Sequence, residues 1–176
     1  MGALKFQTTR LLLRPWQDSD AAALYVLAKD PDIGPAAGWP VHVDEADSLR
    51  VIREVLSAPD TYAILRREDG ALLGSIGRFP NTAGADPAEP EIGYWVGKPY
   101  WGRGFCPEAV RALLADSFAH GIPRVWCAHY EGNHKSRRVI EKCGFTYRFQ
   151  RQRELPLMGE RRNALYYAID RGVWED

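Results

Sequence analysis

Apolar residues recur along the chain at spacings that alternate between those of strands and those of helices. Residues 10–14 form a short apolar run that Pro15 ends, as is typical of a strand. Asp18 stands where it can cap a helix that continues to Lys29, and the prolines and glycines of residues 30–40 end that helix. The chain is therefore expected to begin with one strand and one helix.

The following apolar runs predict a second helix and three strands. Asp44 opens the helix, whose apolar stripe consists of Leu49, Ile52, Val55 and Leu56. Two apolar runs, 61–67 and 71–79, flank an Asp-Gly step, which is a strong signal for a hairpin. A polar loop bounded by prolines covers residues 80–90, and residues 91–97 have the composition of another strand.

The second half of the chain is expected to alternate helices with strands. A helix from Pro107 to about His120 has one apolar face and is stopped by Gly121. Asn133 caps a further helix through Lys142. Strands are predicted at residues 124–130, 145–152 and 164–170. The predicted order is β-α-α-β-β-β-α-β-α-β-β, an α/β fold without repeats or linkers.

Length and charge narrow the class of protein. The chain has 176 residues, of which 45% are hydrophobic and 26% charged, so we expect one domain over residues 1–176 with a substantial core. Lys+Arg and Asp+Glu both number 23, which argues against a protein that coats nucleic acid.

Cysteine usage and hydropathy predict the compartment. No apolar run has the length needed to span a bilayer, and the first ten residues lack the apolar segment of a signal peptide. Cys106, Cys127 and Cys143 are an odd number in scattered places, which favours reduced thiols over a disulfide framework. A cytoplasmic protein with no membrane partner is expected.

The turn "WGRGFC" at residues 101–106 stands directly before a predicted helix. One interpretation is mechanical, because glycine permits positive φ and Pro107 suits the first helical position. The other is chemical, because a glycine-rich turn directs several backbone N–H groups toward one point at a helix N-terminus and so binds phosphate. The dinucleotide-binding fingerprint and the P-loop motif both fail to match.

Three segments, in this order, carry a family resemblance: "TTRLLLRPWQDSDAAAL", "EIGYWVGKPYWGRGFCPEAV" and "NHKSRRVIEKCGF". With the predicted element order, the chain resembles the GCN5-related N-acetyltransferases (GNAT), most closely their ribosomal-protein-acetylating branch, over nearly its whole length. The resemblance implies a single-domain α/β fold with a mixed, mostly antiparallel central sheet. It also implies that two central strands splay apart, with the separation expected after residue 96.

The chain departs from the family pattern at two places. In the family's Gln/Arg-x-x-Gly-x-Gly/Ala loop, Trp101 takes the first position and Cys106 the last, so only Gly104 matches strictly. Because main-chain N–H groups hold the phosphate, a changed side chain need not abolish binding. Many relatives carry a tyrosine seven residues after the motif asparagine, where this chain has Ile140; the branch it resembles has a serine at the position of Ser136.

The resemblance implies acetyl-CoA as cosubstrate and assigns its contacts. The implied cofactor-binding residues are Val96, Trp101, Gly102, Arg103, Gly104, Phe105, Cys106, Asn133 and Ser136. The Val96 N–H would face the thioester oxygen as a one-donor oxyanion hole, and Ser136 would meet the departing thiolate. Asn133 would contact the coenzyme A arm as well as cap its helix, although capping alone also explains it.

Four side-chain features allow two interpretations each. Glu91 is either the general base, acting through water, or an exposed strand-end carboxylate in a surface ion pair. Cys127 and His129 share one strand face and could be metal ligands. Because the chain has no second Cys/His pair at the spacing of a zinc site, a role in packing is favoured and no metal is expected. Cys106 as an acyl-carrying nucleophile is disfavoured against direct transfer. The aromatic residues that either line an acceptor cleft or belong to the core are Trp39, Tyr94 and Trp95.

The sequence therefore predicts an N-acetyltransferase that moves the acetyl group directly to a primary amine. The acceptor is a protein N-terminal α-amine or a small-molecule amine, and residues 30–45 and 80–90 are expected to shape its pocket. The alternative is a non-catalytic module that binds acetyl-CoA and has lost the chemistry. The sequence is compatible with a monomer or a homodimer.

Overall fold

One eight-stranded sheet runs through residues 5–174, the part of the chain that this computed structural model describes. The strands are β1 (Phe6–Gln7), β2 (Leu11–Pro15), β3 (Thr61–Arg66), β4 (Leu72–Pro80), β5 (Pro90–Val96), β6 (Arg124–Tyr130), β7 (Thr146–Leu155) and β8 (Glu160–Asp170). Their order across the sheet is β1-β2-β3-β4-β5-β6-β8-β7, and within the described residues only β5 and β6 pair in parallel. The predicted mixed, mostly antiparallel α/β sheet is confirmed.

Helices cover both faces of the sheet. They are α1 (Ala21–Ala28), α2 (Gly34–Ala37), α3 (Glu45–Val51, continued by a π-helical turn, Ile52–Leu56), α4 (Phe105–Ala119) and α5 (His134–Lys142). Ile64 packs in the core cluster that contains α4, whereas its neighbour Ala63 packs in the cluster that contains α1. Because successive side chains of a strand point to opposite faces, α4 and α1 lie on opposite sides of the sheet.

Local signals set several element boundaries. The Asp44 side chain accepts a hydrogen bond from the Asp47 N–H at 2.7 Å, and Asn133 caps α5 in the same way. Gly121 and Gly144 have positive φ after α4 and α5, and the predicted hairpin joins β3 to β4 through Gly70.

Other boundaries differ from the prediction. The strand β1 and the short helix α2 were not expected, since neither has a periodic apolar pattern of its own. Helix α4 starts at Phe105, so Pro107 is its third residue, where the missing N–H still costs no helical hydrogen bond. Asp18 does not cap α1; it lies in a 3-10 turn, Asp18–Asp20, and its carboxylate pairs with Arg53.

The central strands separate earlier than predicted. Only Glu91 and Ile92 of β5 pair with β6, opposite Trp126 and Cys127, so the splay begins at residue 93 and not after residue 96. The remainder of β5 stays paired with β4, as far as Val96. Strand β6 is paired along its length with β8, so each strand keeps a full partner on its outer side. The two halves of the sheet therefore diverge and leave a cleft.

No helix among residues 5–174 is both long enough and apolar enough to cross a bilayer.

Candidate active site

The splay between β5 and β6 opens into a cavity of about 1680 Å³. The turn at residues 101–106 and the first turn of α5 line one end of it. Glu91, Trp39 and Phe79 line the other end together with side chains of β6, β7 and β8. The cavity thus joins the two regions that the sequence analysis singled out separately.

The turn at residues 101–106 presents unpaired backbone amides. Gly102 and Gly104 have φ of +72° and +77°, a conformation that favours glycine. Within residues 5–174, the N–H groups of residues 102–106 donate no hydrogen bond. They stand at the N-terminus of the 15-residue helix α4, whose dipole adds partial positive charge there. The mechanical interpretation is therefore confirmed for the glycines but not for Pro107, which is the third helical residue. The chemical interpretation, phosphate binding by these amides, stays a prediction.

The connection between β1 and β2 holds this turn from outside. Arg10 donates through Nη1 to the Arg103 carbonyl at 2.9 Å, and its Nε pairs with Glu108 Oε2 at 2.7 Å. Thr8 Oγ1 donates to the other oxygen of Glu108 at 2.6 Å. Burial raises the pKa of Glu108, but these hydrogen bonds outweigh burial, so the pKa lies below its usual value.

Trp101 joins the turn to the end of β5. Its indole Nε1 donates to the Val96 carbonyl at 2.7 Å, and the Lys135 ammonium lies 3.4 Å from the centroid of its ring system. On the other side, the Gly97 N–H donates to the Leu73 carbonyl of β4 at 2.8 Å. Since successive N–H groups of a strand point to opposite edges, the Val96 N–H points away from β4, toward the splay.

Ser136 and Asn133 meet at the start of α5. Asn133 Oδ1 accepts a hydrogen bond from the Ser136 N–H at 3.2 Å. The Tyr94 hydroxyl lies 3.0 Å from Ser136 Oγ and donates to the Ser136 carbonyl at 3.1 Å. Ile140, at the tyrosine position of other relatives, is only 1% exposed and packs in the core. A tyrosine hydroxyl therefore reaches Ser136 from β5, not from α5.

The sequence allows Tyr94 either in the core or in an acceptor cleft, and it does not predict the contact with Ser136. Burial raises the pKa of Tyr94 well above its usual value, so its hydroxyl stays protonated at neutral pH. The two residues lie 42 positions apart in the sequence, and no spacing rule connects a strand to a helix across that distance.

Glu91 is buried at the point where β5 and β6 part. It is 3% exposed, and its Oε2 accepts hydrogen bonds from the Thr82 N–H and the Thr82 hydroxyl, both at 2.7 Å. It forms no ion pair within residues 5–174, so the hypothesis of an exposed carboxylate in a surface ion pair is wrong. Its Oε1 accepts no hydrogen bond from that part of the chain, and the residue lines the cavity. Thr82 is a contact that sequence reasoning missed.

The comparison with protein families decides the class. A model described as an acetyltransferase (GNAT) domain matches residues 10–146, more than half of the chain. The chain belongs to the GNAT acetyltransferase family. The predicted family is confirmed, and with it acetyl-CoA-dependent acetyl transfer.

Individual relatives of this acetyltransferase agree. It is 28% identical to the putative ribosomal N-acetyltransferase YdaF of Bacillus subtilis, over 93% of this chain and 91% of the relative, in line with the predicted branch. A GNAT-family acetyltransferase from Bacillus anthracis has the same fold, with a TM-score of 0.80 and 24% identity over 96% of this chain and 98% of that one. The microcin C7 self-immunity acetyltransferase MccE, solved with acetyl-CoA and AMP, has a TM-score of 0.78 and 21% identity over 93% of each chain.

The remaining cysteine and histidine candidates of the acetyltransferase lie in packed surroundings. Burial raises the pKa of the Cys106 thiol far above its usual range, which disfavours the thiolate that a covalent route would need. Cys127 is buried, and His129 contacts the Tyr167 hydroxyl and the Tyr130 carbonyl. No group of three or more His, Cys, Asp or Glu within residues 5–174 is arranged to hold a metal ion.

Proposed function

We propose that this acetyltransferase moves an acetyl group from acetyl-CoA directly to a primary amine bound in the cleft between β5 and β6. The observation that carries the proposal is the placement of three groups along one cavity. Unpaired amides of residues 102–106 lie at one end, the Val96 N–H points into the splay, and Glu91 lies at the other end. Acetyl-CoA, when bound, supplies the acetyl group as an activated thioester.

The coenzyme A end is built mainly from backbone. The N–H groups of Gly102, Arg103, Gly104, Phe105 and Cys106 would hold the pyrophosphate, with the dipole of α4 behind them. Trp101 would fix the turn to β5 and not contact phosphate itself. Asn133 caps α5 and also lines the same cavity, so it can cap the helix and contact the coenzyme A arm at the same time. Lys135 and Arg138 line the cavity there and add positive charge.

Glu91 would act as the general base on the acceptor. Thr82 holds one carboxylate oxygen and leaves the other for a water molecule or the amine. An α-amine has a pKa of about 8 and a lysine about 10.4, so the base mainly removes a proton from an ammonium group. The Val96 N–H would then stabilise the charge that develops on the thioester oxygen.

Ser136 would meet the departing thiolate, with Tyr94 as its positioning residue. When the Tyr94 hydroxyl donates its proton to Ser136, the Ser136 hydroxyl can donate its own proton to another group, here the departing thiolate. A hydrogen bond to a developing thiolate is charge-assisted and stronger than one between neutral groups. Water would complete the proton transfer, because a serine hydroxyl is itself a poor acid.

The alternative, a non-catalytic module that binds acetyl-CoA, has less support. A binding module needs the turn and the splay but not a buried carboxylate with one unpaired oxygen at the far end of the cavity. Burying such a group is costly, and carboxylates kept in that state are typical of catalytic sites.

The acceptor is a protein N-terminal α-amine or a small-molecule amine. The name of the Bacillus subtilis relative supports the first, and the AMP in the MccE structure shows that a small molecule binds that homologue.

The test is a panel of peptide N-termini and small amines, assayed for coenzyme A release with the acetyl-CoA affinity measured by calorimetry. We expect acetyl-CoA to bind between about 1 µM and 1 mM and to raise the Tm. Absence of binding would contradict the assignment of the turn, and binding without transfer to any amine would favour the non-catalytic module.

A further inference from the structure

Beyond Glu91, the cavity continues over one face of β6, β8 and β7. Arg153 of β7 stands opposite Arg162 of β8, and Tyr130 of β6 stands opposite Ala164, two residues from Arg162. Side chains two residues apart on a strand share a face, so the two arginines and the tyrosine lie together. The Arg162 and Arg153 guanidinium groups lie 5.6 Å and 6.0 Å from the centroid of the Tyr130 ring, and all three residues line the cavity.

Arg153 differs from its neighbours because its guanidinium has no polar partner in the part of the chain that the structure describes. Strands β7 and β8 carry five arginines, and four of them bind a carboxylate or a carbonyl. The pairs are Arg148 with Asp170, Arg151 with the Thr82 carbonyl, Arg161 with Glu154, and Arg162 with Glu160 and the Pro35 carbonyl. Arg153 is half-buried and forms no hydrogen bond or ion pair within residues 5–174. Its five N–H donors therefore face the cavity or water.

The acidic side chains of the lining do not neutralise Arg153. Asp32 pairs with Lys98, and Glu141 pairs with Arg137. Glu91 is held by Thr82, and Glu131 is exposed in the turn before α5 without an ion pair to Arg153. Two arginines directly opposite each other repel, and an anion between them would remove that repulsion.

We propose that Arg153, with Arg162 beside it, is a subsite for an anionic group on the acceptor, so that the acetylated amine belongs to a molecule carrying a carboxylate or a phosphate. The inference rests on the proposed function, because it takes Glu91 as the place of the amine. A planar guanidinium fork binds either anion through two parallel hydrogen bonds, and the centre of the Arg153 guanidinium lies 6.0 Å from the centroid of the Tyr130 ring, within the range of a cation–π contact.

The register of the sheet bounds the distance between amine and anion. Glu91 stands beside Trp126, and Tyr130 lies four residues further along β6, which is about 13 Å at about 3.3 Å per residue. Burial raises the pKa of Tyr130 above its usual value, while the charges of Arg153 and Arg162 act to lower it. This backbone separation favours an acceptor whose amine and anion are several bonds apart over one that carries both charges on a single α-carbon.

The experiment uses ω-amino carboxylates of increasing length, each compared with the alkylamine and the diamine of equal length. We expect the wild-type enzyme to prefer the carboxylate in kcat/KM by about tenfold or more, with an optimum at intermediate length. Arg153→Gln should bring the kcat/KM ratio of carboxylate to alkylamine close to one, and Arg153→Lys should keep part of the preference. Arg153→Glu should make the diamine the preferred acceptor. Arg161→Gln, a change of an exposed arginine paired with Glu154, is the matched control and should keep the ratio.

Aminoalkyl phosphates and peptides with an acidic residue close to the N-terminus separate the possible sources of the anion. Calorimetry of an ω-amino carboxylate with the coenzyme A complex of wild type and Arg153→Gln gives a readout that needs no turnover. The subsite would be overturned if wild type showed no preference for the carboxylate in kcat/KM, or if Arg153→Gln left that preference unchanged. Transfer to alkylamines would still support the proposed function in that case. Arg153-dependent binding without transfer to any amine would support the subsite and contradict the proposed function.

Discussion

The two ends of the cavity present different kinds of polar group. At residues 101–106 the groups are backbone amides, which two glycines with positive φ and the start of α4 hold in place. Around Glu91 and Arg153 the groups are side chains, brought together from several strands. A backbone site tolerates changes of side chain as long as the turn survives, whereas a side-chain site changes its chemistry with each substitution. This difference explains how Trp101 and Cys106 can depart from the family pattern while the amides stay aligned.

The largest effect of a single substitution is expected at Glu91, because this one side chain carries the proposed chemistry of the side-chain site. Glu91→Gln should lower kcat by about 10²–10⁴-fold and leave acetyl-CoA affinity nearly unchanged, because the amide cannot accept the proton but keeps the shape. The defect should shrink as pH rises, since the amine then loses its proton without help. Steady-state kinetics across pH measures both effects.

The matched control is Glu89→Gln, the same change two residues earlier, where the carboxylate accepts a hydrogen bond from Trp126 and lies outside the cavity lining. A wild-type rate for Glu91→Gln at neutral pH would return Glu91 to a purely structural role with Thr82.

Ser136 tests the side-chain contribution at the coenzyme A end. Ser136→Ala removes one charge-directed hydrogen bond, so we expect a loss of about 1.5–3 kcal/mol at the barrier, or roughly 10–150-fold in kcat, with acetyl-CoA affinity largely kept. The defect should be weaker for an acyl donor whose leaving group is more acidic than coenzyme A.

Tyr94→Phe keeps the serine hydroxyl and removes only its neighbour, so it should cost less than Ser136→Ala and show the same dependence on the leaving group. Loss of acetyl-CoA binding with an intact bound-state rate in Ser136→Ala would make Ser136 a binding contact only.

The backbone site is tested at Gly104. A β-branched residue there is strained at positive φ and brings a Cβ within 3.4 Å of Arg10 Nη2, so Gly104→Val should weaken acetyl-CoA binding by about tenfold or more. Gly70→Val has a similar φ of +73° in the β3–β4 turn, where Gly70 is not part of the cavity lining, and serves as the control for strain alone. Calorimetry with acetyl-CoA on both folded variants separates backbone strain from loss of the phosphate contact. If Gly104→Val binds acetyl-CoA as tightly as Gly70→Val does, the phosphate site does not lie at this turn.

The smallest effect is expected at Cys106. Because burial raises the pKa of its thiol and the amide is the binding group, Cys106→Ala should change kcat/KM by no more than about twofold. Intact-protein mass spectrometry of wild type after mixing with acetyl-CoA should show no acetyl adduct on this residue. An adduct that forms and decays at the rate of turnover would revive the covalent route.

Features encoded in a few neighbouring residues were predictable from the sequence. The hairpin around Gly70, the cap at Asn133 and the glycine that ends α4 all depend on one residue's conformational preference or a hydrogen bond spanning three positions. The turn at residues 101–106 belongs to the same class, because its glycines and the following helix are contiguous. Such features depend on local sterics and hydrogen bonding, so a pattern of letters contains them.

The tertiary structure alone decided the contacts that join distant segments. The splay begins at residue 93, while β5 stays paired with β4 and β6 with β8, and no local pattern reports where two strands part. Thr82 reaches Glu91, Tyr94 reaches Ser136, and Arg153 lies beside Tyr130 with no polar partner for its guanidinium among residues 5–174. Burial and charge at a site are sums over neighbours from many strands and helices, so they exist only once the chain is folded.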